Sequence, residues 1–189
     1  DTKKLFESVL NKIFKEAEND KENWKWVRLE NIAEKIKAGG TPSRKIKEYW
    51  ENGTIPWVKI SDISEKEFIV KDTEEKITEE GLKNSSAKLL KKGTLLFSIF
   101  ATIGRVGILD INATTNQAIV GIELKNKIDV KFMAYILKYF SKDLIKISRG
   151  NAQNNINQSL LKNLLVPIPI KDNQPDLEKQ KEIVKYLDN

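Results

Sequence analysis

The chain has 189 residues, and 33 lysines and arginines against 27 aspartates and glutamates give it a formal net charge of +6. It contains no histidine and no cysteine, which excludes a Ser-His-Asp triad, a thiol nucleophile and ordinary zinc sites. The mildly basic balance permits a polyanionic partner without requiring one. No apolar run approaches the ~18 residues that cross a bilayer, and the first residues lack a signal-peptide core, so we expect a cytoplasmic protein without a membrane partner.

A helix is predicted near each end of the chain, the first over residues 2–18 and the second after Pro175, a favourable first-turn residue. Apolar side chains follow helical spacing on one side of each helix, and they need a surface that covers them. That surface is the same domain, a helix outside the sequence, or another chain. The side chains that we expect to contact a partner are Leu5, Val9, Ile13, Val184 and Leu187.

Short apolar runs and one long helical pattern lie between these helices. In chain order we predict a short helix at 31–38, a strand at 57–60, a helical turn at 78–83, a tight pair of strands at 95–100 and 105–109, a strand at 117–124, a long helix at 130–147, a short helix at 158–163 and a strand at 164–170. This order indicates an α+β domain with a mixed, mainly antiparallel, curved sheet, flanked by helices.

Arginine is scarce in this basic chain and occurs mostly where glycine breaks the regular elements. The four arginines are Arg28, Arg44, Arg105 and Arg149. Three of them lie in GGTPSR, IGRVG and SRGN, and Lys45 follows the first of these. The guanidinium fork matches phosphate or the O6/N7 edge of guanine. Exposed loops also collect arginine without any ligand, so both interpretations stay open here.

Residues 150–158, GNAQNNINQ, are unusually rich in side-chain amides, which occupy six of the nine positions. An amide matches the N6/N7 edge of adenine, although amides are also ordinary turn formers. Residues 131–163 contain six basic residues and one acid, so they carry +5 of the net +6. Amides beside positive charge favour nucleic-acid binding. The candidate DNA-binding residues in this region are Lys146, Arg149, Asn151, Gln153, Asn154, Asn155 and Asn157.

A metal-dependent nuclease is the enzymatic alternative. Asp110, Glu123 and Lys125 loosely match a pattern in which two carboxylates hold Mg²⁺ and a lysine assists the attacking water. Such a match is common by chance in a chain that is 32% charged. The sequence has no phosphate-binding loop, dinucleotide fingerprint or adenine-methyltransferase motif, so we expect neither a cofactor nor a bound metal.

Four stretches together resemble the target recognition domain in the specificity subunit of Type I restriction–modification systems. The first, at 26–63, begins WVRLENIAEKIKAGGTPSR and ends TIPWVKISDI, and the second is ITEEGLKNSSAKLLKKGTLLFSIFATIGRVGIL at 77–109. TTNQAI at 114–119 and GNAQNNINQSLLKNLLVPIPI at 150–170 complete the resemblance. LFESVLNKIFKEAENDKENW and EKQKEIVKYLD are similar to the spacer helices of that family.

The resemblance implies a non-catalytic function in which each recognition domain reads one half of a split duplex DNA target. It implies a spacer helix and linker at 1–23, a target recognition domain at 24–170, and the start of a second spacer helix at 171–189. The helices would contact methyltransferase subunits, through them the restriction subunit, or a second specificity chain. Base-reading positions vary with the target in this family, so Arg44, Lys45, Arg105 and the candidates in residues 131–163 depend on residue chemistry alone. A helix-mediated assembly domain that contacts no DNA is the third alternative.

Overall fold

The computed structural model describes residues 2–150 and 155–188, without the side chains of Thr2, Lys3 and Leu5. Its helices are α1 Thr2–Asn19, α2 Leu29–Ile32, α3 Glu79–Lys83, α4 Val130–Arg149, α5 Gln158–Lys162 and α6 Leu177–Leu187. Its strands are β1 Trp24–Arg28, β2 Ala33–Ala38, β3 Ile55–Val58, β4 Ile69–Val70, β5 Glu75–Ile77, β6 Leu95–Ser98, β7 Val106–Leu109, β8 Thr114–Thr115, β9 Ile119–Leu124, β10 Leu165–Lys171 and β11 Gln174–Pro175. Within these ranges no helix combines the length and the apolar character that crossing a membrane requires.

The strands form three sheets, with the orders β2-β9-β6-β7-β4, β1-β10-β11 and β5-β3-β8. The β3–β8 and β4–β7 pairs are parallel, and the other strand pairs in the described residues are antiparallel. The predicted α+β class with a mixed, mainly antiparallel sheet is therefore confirmed.

The central strands of the five-stranded sheet, β6 and β7, are covered on both faces, which explains their continuous apolar sequences. Every residue of β6 and β7 is buried. Phe97 belongs to the large core that includes α4, whereas its neighbour Leu96 belongs to a second core with Val58 and Leu109. Alternate side chains of one strand therefore enter two different cores, and no polar face is needed. The tight antiparallel pair predicted from the two apolar runs is confirmed.

The region predicted as a helix at 31–38 is mostly a strand, and that prediction was wrong. Only one helical turn, α2, forms before β2, which pairs with β9 across a register shift between Ala33 and Lys35. The residues of β2 have good helix propensity, but the ladder with a strand some 85 residues away outweighs it. Tertiary pairing overrides a local preference of a few tenths of a kcal/mol per residue.

Helices α1 and α6 lie against the domain. Leu10 and Ile13 are buried on the core side of α1, and Ile183 is buried on α6. The α1 stripe is thus covered by its own chain, because Trp24 and neighbouring core residues lie beneath it. Ile13, predicted to contact a partner, is only 8% exposed and belongs to the core, so little of its side chain is accessible.

The other predicted partner contacts are less buried. Val9, Val184 and Leu187 are partly buried side chains that pack at the edge of the core, and the side chain of Leu5 lies outside the described part of the chain. Gln180 fixes α6 to the start of α4, since its buried amide accepts from the Asp129 N–H at 2.8 Å. Both helices therefore pack on the rest of the chain.

Candidate nucleic-acid interface

The glycine-marked loop after β2 is held against the start of β9 by main-chain hydrogen bonds. The Gly39 N–H donates to the Ile119 carbonyl at 3.0 Å, and the Gly40 N–H donates to the Thr115 carbonyl at 2.9 Å. A Cβ at Gly39 would lie 2.1 Å from the Thr115 hydroxyl oxygen and 2.4 Å from the Asn116 carbonyl oxygen. No side chain fits there, so glycine is required by this close approach.

Two tryptophans that follow the glycine-marked loop, Trp50 and Trp57, pack against the domain. Trp57, on β3, is 3% exposed, and its indole N–H donates to the Gly40 carbonyl at 2.9 Å. Trp50 meets the Trp57 ring edge-on, with 5.0 Å between the ring centroids. The two rings pack against the loop and help to hold it in place.

Arg44 lies on these rings in a fixed position. Its guanidinium carbon is 3.7 Å from the Trp50 ring centroid, and its Nη2 donates to Glu75 at 3.0 Å. Lys59 also contacts Glu75, at 3.1 Å. The hydrogen bond from Arg44 lowers the pKa of Glu75 from 4.5 to about 2, with a smaller contribution in the same direction from Lys59. The predicted DNA-binding Arg44 is thus already paired, while Lys45 beside it is exposed and has no ion pair among the described residues.

Arg105 is also engaged within the domain. Its Nη1 donates to the Ile63 carbonyl at 3.0 Å, and its Nη2 contacts Glu65 at 2.5 Å. The side chain is only 23% exposed. In this arrangement the guanidinium fastens the segment before β4, and it presents little surface to a ligand.

The loop between β6 and β7 projects from the sheet on a rigid base. The Ser98 hydroxyl accepts from the Arg105 N–H at 2.8 Å and donates to the Thr102 carbonyl. Gly104 has φ +86°, and a Cβ there would lie 2.6 Å from Cβ of Ser141 on α4, so the loop packs closely on that helix. Ala101 and Thr102 at the tip are exposed.

The C-terminal end of α4 presents exposed basic side chains. Arg149 is exposed and forms no ion pair among the described residues, whereas Lys146 contacts Asp143 at 3.2 Å. The charge of residues 131–163 is partly compensated, because Lys131 and Lys142 pair with Asp188 and Glu7. The sequence count of +5 therefore overstates the positive charge that this surface offers.

The amide-rich segment divides into two parts. Asn151, Gln153 and Asn154 lie outside the described residues. Asn157 is the N-cap of α5, and its side chain accepts from the Leu160 N–H at 2.8 Å, so its role in the fold is structural. Asn155 is engaged in interactions within the protein. Asn before an apolar helical run is a known start signal, and it could have indicated this role from the sequence.

Four loops come together through their main chains. The Ile99 N–H donates to the Ala118 carbonyl at 2.8 Å, and the Ile156 N–H donates to the Ile99 carbonyl at 2.9 Å. Together with the bonds from Gly39 and Gly40, these contacts join the loops into one surface. We call it the loop cluster, and it comprises residues 39–46, 99–105, 114–119 and 155–157. Three of the stretches that the sequence analysis singled out separately therefore meet in space.

One contact in the loop cluster was not expected from the sequence. The Thr41 hydroxyl donates to Oε1 of Gln117, and Gln117 is exposed in the turn before β9. These residues are 76 positions apart, and both lie outside the helices and strands. No sequence signal could have paired them.

The three side chains of the nuclease alternative are not brought together. Asp110 contacts Lys92 at 2.7 Å, and this hydrogen bond lowers its pKa. Glu123 contacts Lys35 at 3.8 Å, and Lys125 donates to a main-chain carbonyl on α2 at 2.9 Å. Glu123 and the strand that precedes Asp110 are separated by β6, which places their backbones about 10 Å apart. In residues 2–150 and 155–188 no cluster of three potential metal ligands occurs.

Comparison with known proteins places this geometry in a family. The sequence model described as "Type I restriction modification DNA specificity domain" matches residues 21–189. The MjaIX specificity subunit of Methanocaldococcus jannaschii is 34% identical over 181 residues, which are 93% of this chain and 41% of that protein. The EcoprrI specificity subunit of Escherichia coli is 30% identical over 168 residues, 86% of this chain and 41% of that protein.

Solved structures show the same fold. The HsdS subunit from Thermoanaerobacter tengcongensis superposes with a TM-score of 0.68 at 21% identity, covering 100% of this chain and 42% of that one. The S subunit from M. genitalium superposes with a TM-score of 0.68 at 18% identity, covering 99% of this chain and 47% of that one. The chain thus spans less than half the length of these curated relatives and structures. It belongs to the family of Type I restriction–modification DNA specificity domains.

Proposed function

We propose that this chain is the specificity subunit, or a part of it, of a Type I restriction–modification complex and recognises one half of a bipartite duplex DNA target. The observation that carries the proposal is the loop cluster, in which four loops converge on a sheet whose central strands are buried on both faces. Loops on a rigid scaffold are the usual carriers of recognition, and membership of the family favours DNA as the ligand. The chain contributes recognition and no catalysis, a proposal supported by the separate ion pairs of Asp110 and Glu123.

Two exposed basic side chains, one in the loop cluster and one at the end of α4, suit different parts of a duplex. Lys45 is free of ion pairs in the described residues and suits a phosphate. Arg149 is exposed at the end of α4, next to the amide-rich segment, and its fork suits the edge of guanine. Arg44 and Arg105 support the loops, since their guanidinium groups are occupied by Glu75 and by Ile63 with Glu65.

The test is a binding experiment with the chain assembled on its methyltransferase subunit. A methylation map of the host genome identifies the target, and affinities are then measured on target and scrambled duplexes over a salt series. We expect tighter binding to the target and salt-dependent binding to both duplexes. Lys45→Ala should weaken both and flatten the slope of log K against log salt by about 1. Arg149→Ala should cost roughly 1–3 kcal/mol on the target and little on scrambled DNA.

The outcomes separate the remaining alternatives. Salt-dependent binding without any preference for the target would contradict specific recognition by this chain. Failure of the assembled complex to bind any duplex would favour an assembly domain. Cleavage of DNA in Mg²⁺ that disappears in Glu123→Ala would favour the nuclease.

We also propose that α1 and α6 contact the methyltransferase subunit or a second specificity chain. A groove of about 370 Å³ lies between the two helices and is lined by Val9, Ile13, Ile183 and Tyr186. Tyr186 is 65% exposed, which is unusual for a large apolar side chain. Tyr186→Asp should prevent co-purification with the partner and leave the domain folded. Leu89→Asp, at a comparably exposed position outside this groove, is the control. Unchanged co-purification of Tyr186→Asp would contradict the proposal.

A further inference from the structure

The turn before β9 is the most firmly held part of the loop cluster. Its main chain bonds to three other segments, because it accepts from Gly39 and Gly40, accepts from Ile99, and donates from Asn116 to the Val58 carbonyl at 3.0 Å. Within the turn, the Asn116 side chain accepts from the Ala118 N–H at 3.0 Å. The backbone that carries Gln117 is therefore fixed before any ligand arrives.

The side chain of Gln117 is oriented as well. Thr41 is half-buried, and its hydroxyl donates to Oε1 of Gln117. This bond occupies the acceptor side of the amide. The Nε2 group has no hydrogen-bond partner in the described ranges, so Gln117 directs its donor side to solvent. Water satisfies this exposed donor in the free protein, and on a bound duplex the abundant acceptors that could replace the water are phosphate oxygens.

The position of Gln117 favours a phosphate over a base. Ala118, which follows Gln117, and Thr115, two positions before it, are buried, so Gln117 lies close to the body of the domain. By contrast, Ala101 and Thr102 form an exposed tip that can extend into a groove. A short turn on the scaffold suits the rim of the groove, where the sugar–phosphate backbone runs. Lys45, four residues after Thr41, supplies positive charge to the same surface.

We propose that Gln117 is a phosphate-contacting residue of the DNA interface and that Thr41 positions its amide. This inference depends on the proposed function, because it needs a duplex bound at the loop cluster. It assigns to Gln117 a role in affinity and register, and leaves base reading to the projecting loops.

The experiment measures affinities of the methyltransferase-assembled complex for target and scrambled duplexes over a salt series. Gln117→Ala should weaken both duplexes by the same factor, roughly tenfold, which is the size of one hydrogen bond to a charged group. The salt slope should not change, because an uncharged amide releases no counterion. Gln117→Glu should weaken binding further, because it places a negative charge beside the phosphate. Gln174→Ala, at an exposed glutamine in the β10–β11 hairpin, is the matched control and should bind normally.

Thr41 is tested by a pair of conservative variants. Thr41→Val keeps the shape and removes the donor, so it should reproduce part of the Gln117→Ala loss on both duplexes. Thr41→Ser keeps the hydroxyl and should restore normal binding. Thermal unfolding of each variant is also measured, and we expect Gln117→Ala to have the same melting temperature as the unmodified protein.

Three results for Gln117→Ala would overturn the inference. The first is unchanged affinity for DNA, and the second is a loss of affinity confined to the target duplex, which would identify a base contact. The third is a loss of affinity that accompanies a lower melting temperature. If the unmodified complex itself binds no duplex, the proposed function fails first, and that outcome is distinct from all three.

Discussion

Replacing Gly39 by alanine tests the packing that holds the loop cluster together. The new Cβ would lie 2.1, 2.2 and 2.4 Å from three oxygen atoms, and two of these belong to the main chain of Thr115 and Asn116. Backbone atoms cannot rotate away as a side chain can, so the loop or the turn must move. Overpacking of this kind costs typically 1–3 kcal/mol, and we expect roughly 3 kcal/mol here because three atoms are involved. In a domain of this length that loss lowers the melting temperature by about 6–12 °C.

The assay is thermal unfolding followed by circular dichroism, with Gly150→Ala as the control. Gly150 has helical φ, and its Cβ would lie 3.5 Å from the nearest atom, so alanine there should change the free energy of unfolding by less than about 0.5 kcal/mol. If Gly39→Ala and Gly150→Ala have the same melting temperature, the glycine loop does not approach the turn before β9 as closely as described.

Other substitutions test the contacts around this loop. Glu75→Gln should lower the free energy of unfolding at pH 7 by about 1 kcal/mol, since it removes one partner of the exposed Arg44 pair. Arg44 lowers the pKa of Glu75 from 4.5 to about 2, so this contribution is complete above pH 4.5 and is lost as the pH falls towards 2. Denaturant titrations of the two proteins should converge at that acidic limit. Trp57→Phe should lower the free energy of unfolding, measured by calorimetry, by about 1–3 kcal/mol, because the buried Gly40 carbonyl loses its hydrogen-bond donor. Asn157→Ala should lower the free energy of unfolding by about 1 kcal/mol because it removes the N-cap of α5, whereas Asn157→Asp should keep the cap. Equal melting temperatures for the two variants would contradict this capping role.

Elements defined by local pattern were predictable from the sequence. The helical spacing of residues 130–147 anticipated α4, and two apolar runs separated by a glycine break anticipated the pairing of β6 with β7. Both signals depend on neighbours within a few residues. The strand β2 was missed because its identity depends on pairing with β9, while its own residues favour a helix.

The candidate site was only partly predictable for the same physical reason. Chemistry alone selected Arg44 and Arg105 as ligand contacts, but Glu75 and Glu65 lie 31 and 40 positions away from them and are their partners in the fold. A charge count likewise cannot reveal that Lys142 is neutralised by Glu7 of α1. Which basic side chains remain available to a ligand depends on tertiary contacts.

Site-specific photo-cross-linking in the methyltransferase-assembled complex shows whether the loop cluster faces DNA. A photoreactive residue is placed at Lys45, at Thr102 or at Gln174, all exposed, and the complex is irradiated with labelled target duplex. We predict DNA adducts from Lys45 and Thr102, and none from Gln174 in the β10–β11 hairpin. Adducts from Gln174 with none from the two loop positions would place the DNA on another face of the protein and refute a DNA-facing loop cluster.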